Sequence, residues 1–103
     1  MYYFYVLLSD TDNGYYYGST TNLKRRVLEH QNGEVTSTSY RTPLKLVYYE
    51  AYEILQQARF REQQVKTSGS VRLALHKRIA LPKQDEPGQP GLPAGSRASS
   101  SAG

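Results

Sequence analysis

Residues 2–31 decide the fold, and they read YYFYVLLSDTDNGYYYGSTTNLKRRVLEHQ. The first seven are rich in aromatic and aliphatic side chains that favour strands, residues 12–14 are an Asp-Asn-Gly turn signal, and residues 15–19 resume the strand pattern. A basic run follows, which Thr21 or Asn22 can cap as a helix and which an Asn-Gly pair ends after about residue 31. The stretch therefore predicts a β-hairpin followed by a helix.

The remainder of the chain supplies three further elements and a tail. Residues 34–43 form a polar loop, residues 44–49 a third strand, residues 54–66 a second helix and residues 71–79 a third helix. A Thr-Ser-Gly-Ser break over residues 67–70 separates the last two. From residue 82 the composition changes to Pro, Gly, Ser and Ala, which cannot offset the entropy of ordering. The sequence predicts one folded domain over residues 1–81 and a disordered tail over residues 82–103.

Composition excludes several classes of protein and site. A chain of 103 residues with 38% hydrophobic content forms one compact core. It has no apolar stretch near the roughly 20 residues of a membrane span, and its first eight residues are too short and tyrosine-rich for a signal segment, so we expect a cytoplasmic protein. With no cysteine and two separated histidines, disulfides and the usual zinc sites are excluded. Any metal should be a hard cation with oxygen ligands.

The balance of charge favours a polyanionic partner. The formal net charge is +4, and residues 1–82 hold 11 Lys and Arg against 7 Asp and Glu. A basic domain of this size is compatible with nucleic-acid binding and equally with an ordinary soluble surface. Charge alone leaves both interpretations open.

A carboxylate in the apolar face of the second helix is the strongest clue to chemistry. Leu55, Ala58, Glu62 and Val65 follow the spacing of one helical face. Because an unpaired buried charge costs several kcal/mol, Glu62 should be bonded to a partner or to a cation. It is either an inward glutamate held by tyrosine hydroxyls or an arginine, or a ligand of a divalent metal such as Mg²⁺.

The first helix places a cation on its inner face. Leu23, Arg26, Val27 and His30 lie at i, i+3, i+4 and i+7 and share that face. Arg26 can reach a bound phosphate with its fork of donors, or it can form an ion pair with Glu62 that holds two helices together. A lone histidine such as His30 is more often a satisfied, half-buried side chain than a catalytic one.

Strand alternation separates the tyrosines into two groups. Tyr3, Tyr5 and Leu7 fall on one face of the first strand and Phe4 and Val6 on the other. In the second strand Tyr16 shares a face with Gly18, opposite to its tyrosine neighbours. If Tyr5 and Tyr16 project to one side of the hairpin, two phenols meet where Arg26 and Glu62 converge.

These residues, in this order, resemble the catalytic signature of the GIY-YIG nuclease superfamily. The resemblance is to its short stand-alone bacterial branch, which is similar to the N-terminal endonuclease domain of the bacterial excinuclease, and it covers about residues 2–80. The first motif reads Tyr3-Phe4-Tyr5 and the second reads Tyr16-Tyr17-Gly18, so the named isoleucines are replaced while the motif tyrosines and the second glycine are kept. The motif arginine is then Arg26, the histidine one turn later His30, and the metal-binding glutamate Glu62.

The resemblance implies an α+β fold, with a small three-stranded antiparallel sheet flanked by helices, and a metal-dependent endonuclease acting on DNA. Glu62 would hold Mg²⁺ or Mn²⁺, and Arg26 would neutralise charge on the phosphate. Tyr16 would deprotonate or orient the attacking water, which requires a nearby cation because a free phenol has a pKa of about 10. Tyr5 would orient that water or bond the phosphate, and His30 would assist proton transfer.

Two other functions are compatible with the sequence: a catalytically weak nucleic-acid-binding domain of the same fold, and an interaction module whose ionic core only fixes packing. Both the nuclease and the weak binding domain would contact phosphates with cations and bases with exposed aromatic side chains. Binding of this kind should depend more on the structure of the nucleic acid than on its sequence. The candidate contact residues are Lys24, Arg25, Tyr40, Arg41, Arg72 and Lys77. The chain is expected to be a monomer with no small-molecule cofactor.

Overall fold

A computed structural model describes residues 1–81, which form three strands and three α-helices. The strands are β1 (Tyr2–Ser9), β2 (Tyr15–Thr20) and β3 (Leu44–Tyr52), and the helices are α1 (Leu23–Gln31), α2 (Leu55–Thr67) and α3 (Gly69–Ile79). A single 3-10 turn, Ser39–Arg41, lies in the loop before β3. The sheet is antiparallel in the order β2-β1-β3. The predicted α+β fold is confirmed, whereas the predicted tail, residues 82–103, lies outside the described residues.

The hairpin turn is closed by the residues that predicted it. Asn13 adopts a left-handed backbone conformation with φ of 57°, which asparagine tolerates better than most residues. The amide of Gly14 donates to Oδ1 of Asp12 at 2.8 Å, and the amide of Ser9 donates to the carbonyl of Gly14 at 2.9 Å. The resulting register pairs Leu8 with Tyr15 and sets every later pair of the two strands.

Helices cover both faces of the sheet, so the domain has three layers. On one face Phe4 and Val6 pack with Val65 of α2 and Leu75 of α3. On the other face a second cluster is built from Tyr5, Leu7, Leu44, Leu23 and Val27, the last two being residues of α1. The alternation predicted for the first strand is therefore confirmed, and it directs the motif tyrosine towards α1.

Capping residues set most helix ends, and the structure differs from the prediction at the start of α3 and at the end of β3. Asn22 caps α1 by accepting from the amide of Arg25 at 3.1 Å, and Gly33, with φ of 74°, follows its last turn. The predicted four-residue break after α2 is too long. Ser68 alone ends α2 and caps α3, because its hydroxyl accepts from the amide of Val71 at 3.4 Å. The third strand also continues to Tyr52, three residues beyond the prediction.

One glutamate is held by tyrosines and an arginine, but it is Glu50 rather than Glu62. Its carboxylate accepts from Tyr48 at 2.6 Å, from Tyr52 at 2.5 Å and from Arg61 at 3.0 Å. Burial alone would raise the pKa of Glu50, but these three hydrogen bonds outweigh it and the pKa is lowered. This ionic group ties β3 to α2 on the face away from Tyr5.

Among residues 1–81, no helix is both long and apolar enough to cross a membrane.

Candidate functional site

Aromatic side chains from β1, β2 and α1 meet on one face of the sheet. The rings of Tyr5 and Tyr16 have centroids 6.4 Å apart, and the ring of His30 lies 4.9 Å from that of Tyr16. The hydroxyl of Tyr5 lies 2.9 Å from Nε2 of His30. Tyr5 is 1% exposed, whereas Tyr16 is half-buried and remains open to solvent. The structure thus brings both motif tyrosines to one face, as the strand alternation predicted, and His30 of the inner face of α1 lies beside them.

Gly18 makes room for the Tyr5 ring. The two residues lie directly opposite each other in the β1–β2 register. A methyl group at Gly18 would lie 2.5 Å from Cζ of Tyr5 and 3.0 Å from its Cε2. Because the ring of Tyr5 is buried and held at its hydroxyl by His30, it has little freedom to move away. The motif glycine is therefore required by the motif tyrosine.

Replacing Gly18 with Ala should destabilise the domain by about 1–3 kcal/mol, the usual cost of overpacking a well-filled core. A thermal melt measures this loss. The matched control is Gly69→Ala, since a methyl group there would come no closer than 3.8 Å to a neighbour, the guanidinium of Arg72. Equal melting temperatures for the two variants would contradict the close approach of Tyr5 to Gly18.

Arg26 lies at the open edge of the cluster. Its Nη1 donates to Glu29 at 3.0 Å, and its side chain is 38% exposed. The Tyr5 hydroxyl lies close to the guanidinium, and both neighbours raise the pKa of Arg26, Glu29 more strongly than Tyr5. The alternative prediction of an Arg26–Glu62 ion pair is wrong: the partner of Arg26 is one turn away on its own helix.

Glu62 lies on α2 and bonds Ser19, which is opposite Phe4 in the register, so the carboxylate approaches from the face of the sheet that α2 covers and not from the face of Tyr5 and Tyr16. Its Oε1 accepts from the hydroxyl of Ser19 at 2.7 Å, and its Oε2 pairs with Lys66 at 2.5 Å. The side chain is 21% exposed. Its negative charge is one of the causes that raise the pKa of Tyr5, which burial chiefly raises to about 12. The carboxylate therefore lies within electrostatic reach of the phenol cluster while keeping access to solvent.

The ligand set available for a metal is a single carboxylate. Residues 1–81 contain no group of three or more His, Cys, Asp or Glu side chains that converge as metal ligands. One carboxylate with a neighbouring hydroxyl fits Mg²⁺, which keeps several waters and is commonly held by one or two carboxylates together with substrate phosphates. The donors around Glu62 therefore fit a hard cation, provided that Lys66 moves aside.

His30 is fully buried and faces two hydroxyls. Its Nε2 lies 2.9 Å from the Tyr5 hydroxyl and its Nδ1 lies 2.8 Å from Oγ1 of Thr38. Burial, assisted by the positive charge of Arg26, lowers the pKa of His30 to about 4. The ring is therefore neutral at neutral pH, and it contacts the open site through the hydroxyl of Tyr5 and the ring of Tyr16.

The candidate nucleic-acid contacts divide into exposed residues and residues engaged in the fold. Arg41 is engaged, since it pairs with Asp12 at 2.7 Å and its side chain is 15% exposed. Arg72 is engaged as well, because it donates to the last carbonyls of α2 at 3.1 and 3.2 Å. The exposed candidates are Lys24, Arg25, Lys77 and Tyr40, of which Tyr40 is 76% exposed. They lie on three different parts of the chain.

Three residues of the cluster were missed by sequence reasoning. Ser19 bonds Glu62, Glu29 bonds Arg26 and Thr38 bonds His30. Ser19 follows the motif glycine by one residue, and Glu29 lies at i+3 from Arg26, a spacing that favours ion pairs on helices. Thr38 gave no signal, because it is one of several hydroxyls in a polar loop.

Comparison with known proteins places the cluster in a family. Residues 1–70 match the model of the GIY-YIG catalytic domain. A UPF0213 protein of Haloquadratum walsbyi is 36% identical over 67 residues, covering 64% of this chain and 75% of that protein. A UPF0213 protein of Natronomonas pharaonis is 44% identical over 66 residues, covering 63% and 76%. The solution NMR structure of a UPF0213 protein of Bacillus halodurans has 31% identity and a TM-score of 0.48, covering 76% of this chain and 85% of that one.

Proposed function

Since this chain belongs to the GIY-YIG catalytic-domain family, we propose that it is a divalent-metal-dependent endonuclease that hydrolyses phosphodiester bonds in DNA. The family assignment confirms the resemblance seen in the sequence motifs. The observation that supports the activity is that Tyr5 and Tyr16 meet on the face of the sheet covered by α1, with Arg26 close to the Tyr5 hydroxyl, while the charge of Glu62 acts on Tyr5 from α2. A plain packing role does not require a partly exposed arginine close to a buried phenol.

Glu62 is the residue proposed to hold the metal, with Mg²⁺ or Mn²⁺ as the ion. Such an ion would polarise a phosphate oxygen and stabilise the leaving 3′ oxygen. Ser19 holds one carboxylate oxygen at 2.7 Å and so orients the group. Lys66 neutralises the other oxygen until the metal replaces it.

Arg26 is proposed to bind the phosphate and to balance its developing negative charge. Its guanidinium is bonded to Glu29 and lies close to the Tyr5 hydroxyl, and donors remain to bond phosphate oxygens. Because these contacts orient the group before the substrate arrives, little reorganisation is needed in the transition state.

Tyr16 is proposed to orient and deprotonate the attacking water. It is the more exposed of the two motif tyrosines, and it packs against the neutral ring of His30. A phenol acts as a base at neutral pH only where positive charge stabilises the phenolate, and Arg26 and the metal at Glu62 would supply that charge. Tyr5, being buried, would support the site by holding Arg26, and His30 would act through Tyr5.

DNA is proposed to bind through its backbone. The exposed cations Lys24, Arg25 and Lys77 can neutralise phosphates, and the exposed ring of Tyr40 can stack on an unpaired base. Phosphate contacts carry no sequence information by themselves. We therefore propose selection of DNA structure rather than of base sequence.

A cleavage screen tests the activity. The full chain is incubated with single-stranded, duplex, flap and branched DNA, each with Mg²⁺, Mn²⁺ or a chelator. Metal-dependent cleavage of at least one structured substrate is expected, with no cleavage in the chelator. Binding without cleavage under every condition would favour the alternative, a catalytically weak nucleic-acid-binding domain. The absence of both binding and cleavage would refute the proposal.

A further inference from the structure

A chain of hydrogen bonds runs from the Tyr5 hydroxyl, which lies close to Arg26, into the loop before β3. Its members are Tyr5, His30, Thr38 and the carbonyl of Val35. The hydroxyl of Tyr5 meets Nε2 of His30 at 2.9 Å, and Nδ1 meets Oγ1 of Thr38 at 2.8 Å. Oγ1 of Thr38 lies 3.5 Å from the carbonyl oxygen of Val35. Tyr5, His30 and Thr38 are 1%, 0% and 0% exposed, so their polar groups depend on one another.

The groups at the two ends of this chain set its direction. A guanidinium can only donate, so Arg26, which lies close to the Tyr5 hydroxyl, can interact favourably only with a lone pair of the tyrosine oxygen. A backbone carbonyl can only accept, so any bond between Thr38 and Val35 uses the threonine proton. The direction of the two bonds to His30 then depends on which ring nitrogen carries the hydrogen.

One of the two tautomers provides an acceptor for every buried proton. With hydrogen on Nδ1, the ring donates to Thr38, Thr38 donates to Val35, and Tyr5 donates to Nε2. With hydrogen on Nε2, the ring donates to Tyr5, and the Tyr5 proton has no acceptor within hydrogen-bond distance among residues 1–81. A buried donor without a partner costs its full desolvation free energy, so the first arrangement is favoured even though the bond to Val35 is long.

We propose that Thr38 is a positioning residue that holds His30 in its Nδ1-protonated tautomer, so that Tyr5 directs its proton inward and offers its lone pairs to Arg26. In the opposite tautomer the Tyr5 proton would turn towards Arg26 and repel the guanidinium. Thr38 would therefore orient the phosphate-binding cation through two intervening side chains, without touching substrate. The catalytic part of this inference rests on the proposed nuclease function.

The backbone around Thr38 is suited to this role because the loop is held at both ends. The amide of Thr38 donates to Val35 at 3.0 Å. On the other side, Ser9 donates to the carbonyl of Arg41 at 2.6 Å, and Thr11 donates to that of Thr42 at 2.6 Å. These contacts attach the loop to the β1–β2 hairpin and place the threonine hydroxyl against the ring.

The titratable groups facing His30 come from three elements: Tyr5 from β1, Tyr16 from β2, and Arg26 and Glu29 from α1. Tyr5, whose pKa burial raises, is neutral at neutral pH, and the charges of Arg26 and Glu29 act on His30 in opposite directions. The choice of tautomer therefore depends mainly on the hydrogen bonds to the ring, and the Thr38 hydroxyl is the one that can be removed without changing a motif residue.

The test reads the tautomer directly from ring nitrogen chemical shifts of ¹⁵N-labelled full-length protein without DNA. Wild type and Thr38→Ser are expected to carry hydrogen on Nδ1 of His30. Thr38→Val, which keeps the shape and loses the hydroxyl, should shift the ring towards the Nε2-protonated form. Hydrogen on Nε2 in wild type would overturn the proposal, and this reading requires no variant to fold.

Cleavage kinetics supply the second measurement. In Thr38→Val, kcat should fall roughly tenfold, which corresponds to about 1.4 kcal/mol, while KM stays the same because Thr38 does not contact substrate. Thr38→Ser should retain the wild-type rate. A Thr38→Val variant with the wild-type tautomer and rate would also overturn the proposal. If wild type cleaves nothing, the proposed function fails, whereas the ring shifts still decide whether Thr38 sets the tautomer.

Discussion

Replacing Glu62 with Gln is expected to abolish metal-dependent cleavage while leaving the domain folded. The amide keeps the size of the side chain and its bond to Ser19, but it loses the charge that a hard cation requires. The ion pair with Lys66 is partly exposed, and pairs of this kind contribute about 0–1 kcal/mol, so the melting temperature should change little. The measurement combines single-turnover cleavage with a thermal melt.

Metal binding can be followed separately from turnover. Addition of Mn²⁺ should broaden amide resonances around residue 62 in the wild-type protein and should not do so in Glu62→Gln. Glu53→Gln, at an exposed position, is the control of equal charge change and should keep both broadening and cleavage. If Glu62→Gln cleaves DNA at the wild-type rate with matched metal, the assigned metal ligand is wrong.

Replacing Arg26 with Ala should reduce turnover by about 10² or more, as expected for the loss of a group that stabilises transition-state charge. The effect on stability should be small. Its ion pair with Glu29 is partly exposed and lies within one helix, where such pairs contribute a few tenths of a kcal/mol. Substrate binding should weaken only modestly, because the exposed cations still contact phosphates.

Arg25→Ala is the matched control for that variant. Arg25 is the neighbouring residue, pairs with the same Glu29 at 3.8 Å and is 71% exposed. The Arg25→Ala variant should lose little stability, and its cleavage rate at saturating DNA should equal that of the wild type. A large drop in the melting temperature of Arg26→Ala, with no change in single-turnover rate, would assign Arg26 a purely structural role.

The faces of the strands and the ends of the helices were predictable because local rules determine them. Alternation directs Tyr5 and Tyr16 to the same face whatever else the chain does. The Asp-Asn-Gly turn pairs β1 with β2 in a register that sets Gly18 opposite Tyr5. Asn22 caps α1 through a hydrogen bond to a residue three positions away.

Tertiary structure decided several partners of the charged and hydroxyl side chains. The sequence placed Arg26 and Glu62 on inward faces of two helices, and helical spacing favours the pairs with Glu29 and Lys66, but only the packing of the helices decided that Arg26 and Glu62 do not pair with each other. It marked Arg41 as a cation free for DNA, whereas the fold brings Asp12 of a distant turn within 2.7 Å. Long flexible side chains can reach several partners, and the final choice depends on how the elements pack.

The sequence by itself therefore determined the family and the α+β fold and suggested the residues of the candidate site, because motif spacing and residue type are local properties of the chain. Tertiary structure decided how that site is connected. Thr38 is unremarkable among the hydroxyls of its loop, and it contacts His30 only because the loop is held against the hairpin. A hydrogen bond has a range of about 3 Å and a required direction, so its partners are settled only when distant segments have packed.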